Sequence, residues 1–195
     1  MFKRINNILS NSDHNQLESK LNSFEFDWHY LPGTVPPNVK QLVSETNTFI
    51  PYESEQFIHL MYDQKPLSPY WSMVKPILDS VCDKMNVKIL EIGRIKTNML
   101  IKNQSKNTSM NCPHVDRDTE GYHSMVYYVN DSDGDTILFN KKGHEGFEQL
   151  EIQDKAKPKK NTAVLFESDW YHTSTNPIDN ARRIVLNFIF KIKND

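Results

Sequence analysis

The sequence predicts a mainly β fold of the α+β class, a sandwich or barrel of antiparallel strands supported by helices on its N-terminal side. After residue 86, short β-rich runs separated by turn clusters follow one another, a spacing typical of an all-β sandwich or barrel. Residues 1–66 are polar and irregular, and residues 68–85 carry apolar side chains at helical spacing. We therefore expect a single domain over residues 1–195, with supporting structure in 1–86 and the β core in 87–195.

The N-terminal elements are predicted from local signals. A short helix is expected near residues 14–23, and EQFIHLMYD at 55–63 is expected to form an early strand. The stretch 68–85 is predicted to be a helix, because Ser68 and Pro69 form a start signal. Its apolar stripe is expected to pack against a sheet and consists of Trp71, Val74, Ile77, Leu78, Val81 and Met85.

Six runs rich in β-branched and aromatic residues are the candidate strands of the core. They occupy residues 87–102, 123–129, 136–140, 147–152, 162–167 and 182–192. NDSDGD at 130–135 and NKKGHEG at 140–146 are turn sequences, because Asp, Asn and Gly accept the backbone conformations that turns require. The basic run KAKPKK at 155–160 lies between two candidate strands, and we interpret it as a solvated loop rather than a binding patch.

Composition and charge narrow the function classes. Hydrophobic residues make up 37% and aromatic residues 11% of the chain, which favours a folded domain over disorder despite a mean hydropathy of −0.64. The net charge of −2 and the pI of about 6.4 give no global basic field for nucleic acid or an anionic membrane. The two cysteines, and the lack of an apolar leader or a run of transmembrane length, make us expect a cytoplasmic, reducing compartment.

The first candidate for chemistry is NCPHVDRD at residues 111–118. Residues i and i+2 of a strand point to the same face, so His114 and Asp116 would project side by side. A histidine followed by an acid at this spacing is expected about once by chance in a chain of this composition, so the pair alone is weak evidence. The thiol of Cys112 is a further candidate ligand, although metal sites of that kind usually bring more cysteines.

A third ligand would have to come from another part of the chain. The remaining histidines are His14, His29, His59, His123, His144 and His172. Any one of them is more often a surface or packing residue than a ligand, but His172 stands apart because it follows the β-run AVLFESDWY and precedes the last strand. Two imidazoles and one carboxylate are typical of non-haem Fe(II) oxygenases, because this set leaves positions open for a bidentate cosubstrate and dioxygen.

The last strand, NARRIVLNFIF, offers a cation for such a cosubstrate. A bidentate 2-oxo acid needs a cation for its far carboxylate, and a buried arginine in an apolar strand is costly unless it is paired. Alternation places Arg183 on one face with Asn187. Arg182 shares the other face with the apolar residues Ile184, Leu186, Phe188 and Phe190. We therefore favour Arg183 over Arg182 and assign Asn187 to the same polar cavity.

Four segments in chain order carry a resemblance to a known family. They are HVD at 114–116, YYVNDSDGDT at 127–136, NTAVLFESDWYH at 161–172 and RRIVLNF at 182–188. Over residues 95–190 or so, the chain resembles the Fe(II)- and 2-oxoglutarate-dependent dioxygenases, in particular their prolyl-4-hydroxylase-like branch. Within that branch it is similar to the small oxygenases encoded by marine cyanobacterial phages.

The resemblance implies a double-stranded β-helix, or jelly roll, with iron at its open end, so that residues 87–195 would form the catalytic core. His114, Asp116 and His172 match the metal ligands at the catalytic centre of the family. We expect each ligand to be oriented by a further hydrogen bond, whose partner the sequence does not identify.

The resemblance also implies a binding site for 2-oxoglutarate. Arg183 matches the residue that binds its distal carboxylate, and Tyr128 matches a tyrosine that hydrogen-bonds the same group, so Tyr127 would point to the packing side. Thr136 matches a position that lines the same pocket. The double glycine of the family stands here as Asp133-Gly134, and a later glycine is replaced by Asn161. Both replacements are residue types that tolerate turn conformations.

The implied activity is that of a hydroxylase that converts 2-oxoglutarate to succinate and CO₂ while it oxidises a substrate C–H bond. Its cofactors would be Fe(II) and 2-oxoglutarate, with ascorbate as an accessory reductant, and its substrate a prolyl or another amino-acid or peptide group. Two alternatives stay open. The first is the same chemistry on nucleic acid, as in oxidative demethylases, which the mild acidity of the chain disfavours without excluding. The second is a non-catalytic jelly-roll module that holds a metal.

The sequence leaves several properties undetermined. It does not identify the substrate or the hydroxylated position, and it does not give the oligomeric state. It also assigns no role to residues 1–66, which match no part of the family pattern.

Overall fold

The computed structural model describes residues 2–35, 37–52, 54–105 and 109–193 and shows a mainly β protein. In these residues the α-helices are α1 (Asn11–Leu21), α2 (Pro37–Thr46) and α3 (Trp71–Met85). The strands are β1 (Lys3–Asn6), β2 (His29–Leu31), β3 (Gln56–Asp63), β4 (Lys65–Pro66), β5 (Lys88–Ile101), β6 (Tyr122–Tyr128), β7 (Thr136–Lys142), β8 (Ile152–Ala156), β9 (Thr162–Glu167), β10 (Trp170–Ser174) and β11 (Arg182–Lys193). None of the described helices is long and apolar enough to span a membrane.

The strands form two antiparallel sheets. The larger sheet has the order β1-β9-β6-β11-β5-β3-β2, with β4 paired to the end of β3, and the smaller sheet has the order β10-β7-β8. Both sheets contribute to one apolar cluster, which contains Val126, Val164 and Val185 from the larger sheet and Leu138 and Ala156 from the smaller one. The sheets therefore face each other across a shared core, and the predicted jelly-roll fold is confirmed.

Helices cover the other face of the larger sheet. Helix α3 buries Val74, Ile77, Leu78 and Val81 of its predicted apolar stripe. These side chains pack in one cluster with sheet residues such as Met125, Leu186 and Phe188. Because burying each such side chain contributes about 1.5–3 kcal/mol, this interface is a large part of the stability of the domain.

The N-terminal residues extend the larger sheet as well as covering it. Strand β1 pairs with β9 so that Lys3 lies opposite Leu165, and the early strand predicted at 55–63 is β3, which pairs with β5. Helix α1 begins after Ser10, whose hydroxyl accepts a hydrogen bond from the Asp13 N–H at 3.1 Å. The supporting and catalytic roles predicted for the two parts of the chain stay predictions.

Residues 147–152 do not form the predicted strand, and β8 begins only where this run ends. The Leu150 N–H donates to the Asn47 side chain at 2.8 Å, and Asn47 donates back to the Phe147 carbonyl at 2.8 Å. Contacts with the residue that follows α2 therefore take the place of a strand ladder. Strand β8 also includes the first two residues of KAKPKK, so only the rest of that basic run is a loop.

Helix α3 begins at Trp71, three residues after its predicted start signal at Ser68. The Ser68 hydroxyl lies 2.7 Å from Nε2 of His59 and accepts a hydrogen bond from the Tyr70 N–H at 3.1 Å. Ser68 therefore closes the turn before the helix instead of capping its first residue. The predicted elements do not include helix α2 or the strands β1, β2, β4 and β10.

Candidate metal centre

A backbone bridge brings His114 and His172 together from distant segments. The N–H of each residue donates to the carbonyl of the other, at 3.0 and 2.9 Å. His172 belongs to β10, whereas His114 and Asp116 lie between β5 and β6, where the Asp116 N–H donates to the Ser168 carbonyl at 3.1 Å. The three side chains offer two imidazole nitrogens and a carboxylate oxygen, all within 4.8 Å of one another.

Two backbone carbonyls orient the imidazole rings. Nδ1 of His114 lies 3.2 Å from the Cys112 carbonyl oxygen, and Nδ1 of His172 lies 3.0 Å from the Trp170 carbonyl oxygen. Because a carbonyl only accepts, each Nδ1 carries a proton and donates to it, which leaves Nε2 of each ring as the ligand atom. Both rings are therefore oriented as a metal site requires. The cluster of ligand atoms does not include the Cys112 thiol, which had been a further candidate.

Asp116 is held by donors from three strands. Its side chain is 3% exposed and accepts a hydrogen bond from the Ser124 hydroxyl at 2.7 Å. Nη2 of Arg94 lies 3.3 Å from Oδ1, and Nδ2 of Asn187 lies 3.2 and 3.3 Å from the two carboxylate oxygens. These contacts fix the orientation of the carboxylate before any ligand binds.

The protonation states of the cluster suit a cation. Burial, together with the nearby His172, lowers the pKa of His114 to about 4, so this ring is neutral at pH 7. Burial alone would raise the pKa of Asp116, but its contacts with His172, His114 and Ser124 outweigh that effect and hold the pKa well below its usual range. A neutral imidazole beside an ionised carboxylate is the form that ligates a divalent metal.

A cavity of about 190 Å³ opens beside the three ligand side chains. The residues predicted for the cofactor pocket that line it are Arg183, Thr136 and Asn187. Its apolar lining comes from Leu100, Val115, Val126 and Val185. The candidate metal ligands and three of the four predicted cofactor residues therefore line one cavity.

Arg183 is a buried cation, only 4% exposed. Its Nε donates to the Gly134 carbonyl at 2.9 Å, and its Nη2 donates to the Thr136 hydroxyl at 2.7 Å. Among the described residues no carboxylate forms an ion pair with it, and burial lowers the pKa of its guanidinium. Arg182, by contrast, is exposed, as the alternation of the strand predicts. The guanidinium therefore has unused capacity to bind an anion from the cavity.

Tyr128 reaches the cavity only through Thr136. The tyrosine hydroxyl donates to the Thr136 hydroxyl at 2.8 Å, and burial raises the pKa of Tyr128 to about 12. Thr136 thus accepts from both Tyr128 and Arg183, which leaves its own proton free to donate into the cavity that it lines. Tyr127 points to the opposite, packing side, where its hydroxyl contacts His14 at 2.6 Å.

The turn before Thr136 allows the close approach of Arg183. A Cβ at Gly134 would lie 2.6 Å from the Thr175 carbonyl oxygen and 3.1 Å from Cδ of Arg183, so the position requires a glycine. The carboxylate of Asp133 accepts hydrogen bonds of 2.8–3.0 Å from three consecutive N–H groups at residues 178–180. The turn between β6 and β7 is thereby tied to the segment that precedes β11.

Sequence reasoning missed one wall of the cavity. Arg94, Lys96 and Asn98 of β5 line it together with Gln56 of β3. The signal was present in RIKTN, where polar residues alternate with Ile95 and Thr97. Such alternation predicts one polar face within the strand.

Two histidines and one carboxylate around a metal with open positions are typical of non-haem iron oxygenases. Residues 103–191 match the family model of the 2OG-Fe(II) oxygenase superfamily, and this range contains all three candidate ligands and Arg183. This part of the chain is therefore similar to members of that superfamily. No curated protein sequence matches the chain.

Several solved structures share the fold of this chain. An oxygenase from Burkholderia pseudomallei has a TM-score of 0.62 and 11% identity, with 94% of this chain and 81% of that chain covered. A prolyl hydroxylase from Trichoplax adhaerens, in complex with a hypoxia inducible factor peptide fragment, has a TM-score of 0.57 and 16% identity, with 97% and 83% covered. The viral collagen prolyl hydroxylase of Paramecium Bursaria Chlorella virus-1 has a TM-score of 0.52 and 12% identity, with 98% and 96% covered.

Proposed function

We propose that the protein is a hydroxylase that uses Fe(II) and 2-oxoglutarate to oxidise a C–H bond of a prolyl or another amino-acid or peptide substrate. Succinate and CO₂ are the coproducts. One observation carries the proposal. The cluster of His114, Asp116 and His172 opens into the same cavity as Arg183, a buried cation without an acidic partner among the described residues.

Fe(II) would be held by Nε2 of His114, Nε2 of His172 and the carboxylate of Asp116. The donor set fits, because both Nδ1 atoms are engaged by carbonyls and the carboxylate is ionised. When bound, the iron together with 2-oxoglutarate supplies the oxidising chemistry, and the protein supplies orientation and electrostatics.

The distal carboxylate of 2-oxoglutarate would be bound by Arg183 and Thr136. A planar guanidinium matches a carboxylate with two parallel hydrogen bonds, and the free proton of Thr136 adds a third donor. Tyr128 holds Thr136 in place through its own hydrogen bond. The ion pair would also neutralise a guanidinium that is otherwise costly to bury.

Apolar side chains would keep water away from the reacting atoms. Val126 and Val185 lie on the cavity side of the larger sheet, and Leu100 and Val115 complete the lining. In a lining of this kind, electrostatic contacts are stronger than in water and unwanted hydrolysis is slowed.

Solved structures with the same fold support a peptide or amino-acid substrate. Two structures with the same fold are named as prolyl hydroxylases, and one of them contains a peptide fragment. The resemblance of the four ordered segments to the prolyl-4-hydroxylase-like branch points the same way. A substrate of this class is therefore the first to test.

The proposal is tested by incubating the protein with Fe(II), 2-oxoglutarate, ascorbate and separate pools of amino acids, peptides and nucleic acid. We expect succinate formation together with a mass gain of one oxygen atom in the amino-acid or peptide pool. His114→Ala should abolish both, and His144→Ala, at an exposed position, should change neither. Oxidation confined to the nucleic-acid pool, or succinate formation that survives His114→Ala, would refute the proposal.

A further inference from the structure

The wall formed by β5 carries two cations that the binding of 2-oxoglutarate does not use. Arg94, Lys96 and Asn98 occupy alternate positions and line the cavity, whereas Ile95 and Thr97 between them are fully buried on the other face. Polar side chains on the inner face of a central strand are costly unless they meet a partner. The partner of each of these residues is therefore informative.

Lys96 lies at the metal end of the cavity. It pairs across the strands with Asn187, whose Nδ2 contacts both oxygens of Asp116. Arg183 pairs instead with Leu100, four residues further along β5. At about 3.3 Å per residue, the backbone positions from which the two cations project are separated by about 13 Å along the strand. A ligand that reaches from the metal to Arg183 therefore extends away from Lys96.

Lys96 is the unpaired cation of this wall. Arg94 forms an ion pair with Asp116 at 3.3 Å, but within the described parts of the chain Lys96 forms no hydrogen bond or ion pair. Burial, and then the charge of Arg94, lower the pKa of Lys96 to about 8, while Asp116 opposes this effect. At pH 7 the side chain still carries its proton for most of the time.

The net charge of the cavity also indicates a site for an anion. Three cations, Arg94, Lys96 and Arg183, and one carboxylate, Asp116, line it. The two positive charges of a divalent metal and the two negative charges of 2-oxoglutarate cancel each other. The loaded cavity therefore keeps an excess of positive charge, which favours a negatively charged third component.

Acceptor atoms without partners lie beside Lys96. Oδ1 of Asn98 and Oδ1 of Asn187 are buried and have no hydrogen-bond partner among the described residues. Asn98 is two residues along the strand from Lys96, and Asn187 lies directly opposite it. A cation with acceptors around it is complementary to a carboxylate that has N–H donors close by, as amino acids and peptides have.

We propose that Lys96 is a specificity-determining residue that binds a carboxylate of the substrate, with Asn98 and Asn187 accepting hydrogen bonds from a neighbouring N–H group. The substrate is then a free amino acid, or a peptide with an acidic residue or its C-terminus near the oxidised C–H bond. This inference rests on the proposed function, because it assumes that Arg183 is occupied by 2-oxoglutarate.

The test measures binding to the protein loaded with Fe(II) and 2-oxoglutarate without oxygen, by calorimetry and by the change in the charge-transfer band. One arm compares the free amino acids L-proline, L-aspartate and L-glutamate with their amides. The other compares short proline peptides that contain aspartate with the same peptides that contain asparagine and a C-terminal amide. In at least one arm, we expect the acids to bind the wild type at least about tenfold more tightly than the amides, which corresponds to about 1.4 kcal/mol.

Lys96→Met should lose this preference, because methionine has a similar length and no charge. Lys96→Arg should keep it, and so should Lys88→Met, an exposed position of the same strand. The affinity of Lys96→Met for 2-oxoglutarate should stay within about twofold of the wild type. If Lys96→Met does not fold, Lys96→Gln replaces it, and the comparison of acids with amides in the wild type stands by itself.

Three results would overturn the inference. The first is that, in both arms, acids and amides bind equally or neither binds. The second is a preference for acids that survives the loss of the Lys96 charge. The third is a weaker affinity for 2-oxoglutarate in Lys96→Met. The last result would assign the ammonium group to the 2-oxoglutarate site. A wild-type protein that forms no charge-transfer band would instead refute the proposed function, so the two failures are distinguishable.

Discussion

At the scale of single residues, the two adjacent arginines that begin β11 lie in opposite environments. Arg183 is buried and hydrogen-bonded to Gly134 and Thr136, whereas Arg182 is exposed. Losing a charge-assisted contact in a buried pocket costs about 2–5 kcal/mol. Arg183→Ala should therefore weaken 2-oxoglutarate binding by about thirtyfold or more, while iron stays bound. Arg182→Ala should change it much less.

Titration of 2-oxoglutarate into the two iron-loaded variants, followed by charge-transfer absorbance, measures this difference. A larger loss for Arg182→Ala would mean that the inner face of β11 has been misassigned. In that case Asn187 would also be excluded from the pocket, because residues two apart on a strand share a face.

The residue scale also shows what the sequence could and could not predict. The burial of Arg183 was predictable, because in a long apolar strand the alternation of the neighbouring residues shows which face each arginine occupies. Lys96 was not, because one lysine in an alternating strand is usually solvated, and only the fold shows that this face of β5 meets the candidate metal ligands. The indirect contact of Tyr128 through Thr136 depends on side-chain geometry that no sequence pattern encodes.

At the scale of elements, Asn161 joins the start of β9 to the segment before α1. It has a φ of 58°, in the left-handed region. Its side chain accepts from the Leu9 N–H and donates to the Leu9 carbonyl, both at 2.9 Å. Asn161→Gly should lose about 1–3 kcal/mol of unfolding free energy with these bonds. Asn161→Ala should lose about 1–2 kcal/mol more, because alanine also pays for the left-handed conformation.

Urea unfolding of the wild type and both variants gives the two differences. An alanine variant as stable as the glycine variant would show that backbone conformation is not what limits this position. Equal stability of all three proteins would remove the role of the hydrogen bonds to Leu9 as well.

Physical differences among the elements explain why some could be predicted well from the sequence and others could not. Strands β5, β6, β9 and β11 are long or strongly apolar, and their predicted bounds agree within one or two residues with those found. Strand β8 is an edge strand with mostly exposed side chains, so its sequence carries little alternation, and the apolar run before it folds as a loop. Strand β10 is short and irregularly paired, with a register shift between Trp170 and His172.

At the scale of the whole molecule, buried histidines link stability to pH. His14 is 2% exposed, and burial lowers the pKa of its imidazole. The unfolded state, with an ordinary pKa of about 6.5, then binds more protons than the folded state in the range between the two values. Stability is therefore lost as the pH falls through about 6.5 towards the pKa of the folded state, by up to about 1.4 kcal/mol per pH unit for each such group.

Urea unfolding of the metal-free protein at pH 7, 6 and 5 should show this loss. His14→Gln should reduce its slope, since glutamine does not titrate and can still hydrogen-bond to Tyr127. His144→Gln, at an exposed position, should keep the slope of the wild type. A slope that is identical in the wild type and His14→Gln would contradict the assignment.

The class of the overall fold was predictable from the sequence, but the long-range pairings that complete it were not. Regular short strands predicted the mainly β fold, and helical spacing predicted the covering helix α3. The pairing of β1 with β9 joins segments as far apart as Lys3 and Leu165, and the bridge between His114 and His172 is similarly long-range. Such pairings leave no local signal in a single sequence, because the paired residues are far apart along the chain.

The central claim is that His114, Asp116 and His172 hold the iron to which 2-oxoglutarate binds. The most direct measurement is an anaerobic titration of Fe(II) and then 2-oxoglutarate into the wild type and His172→Ala, following iron binding and the charge-transfer band. We predict a saturable band in the wild type, and neither tight iron binding nor the band in His172→Ala, because that variant lacks one of three ligands. A His172→Ala protein that binds iron and forms the band like the wild type would contradict the account.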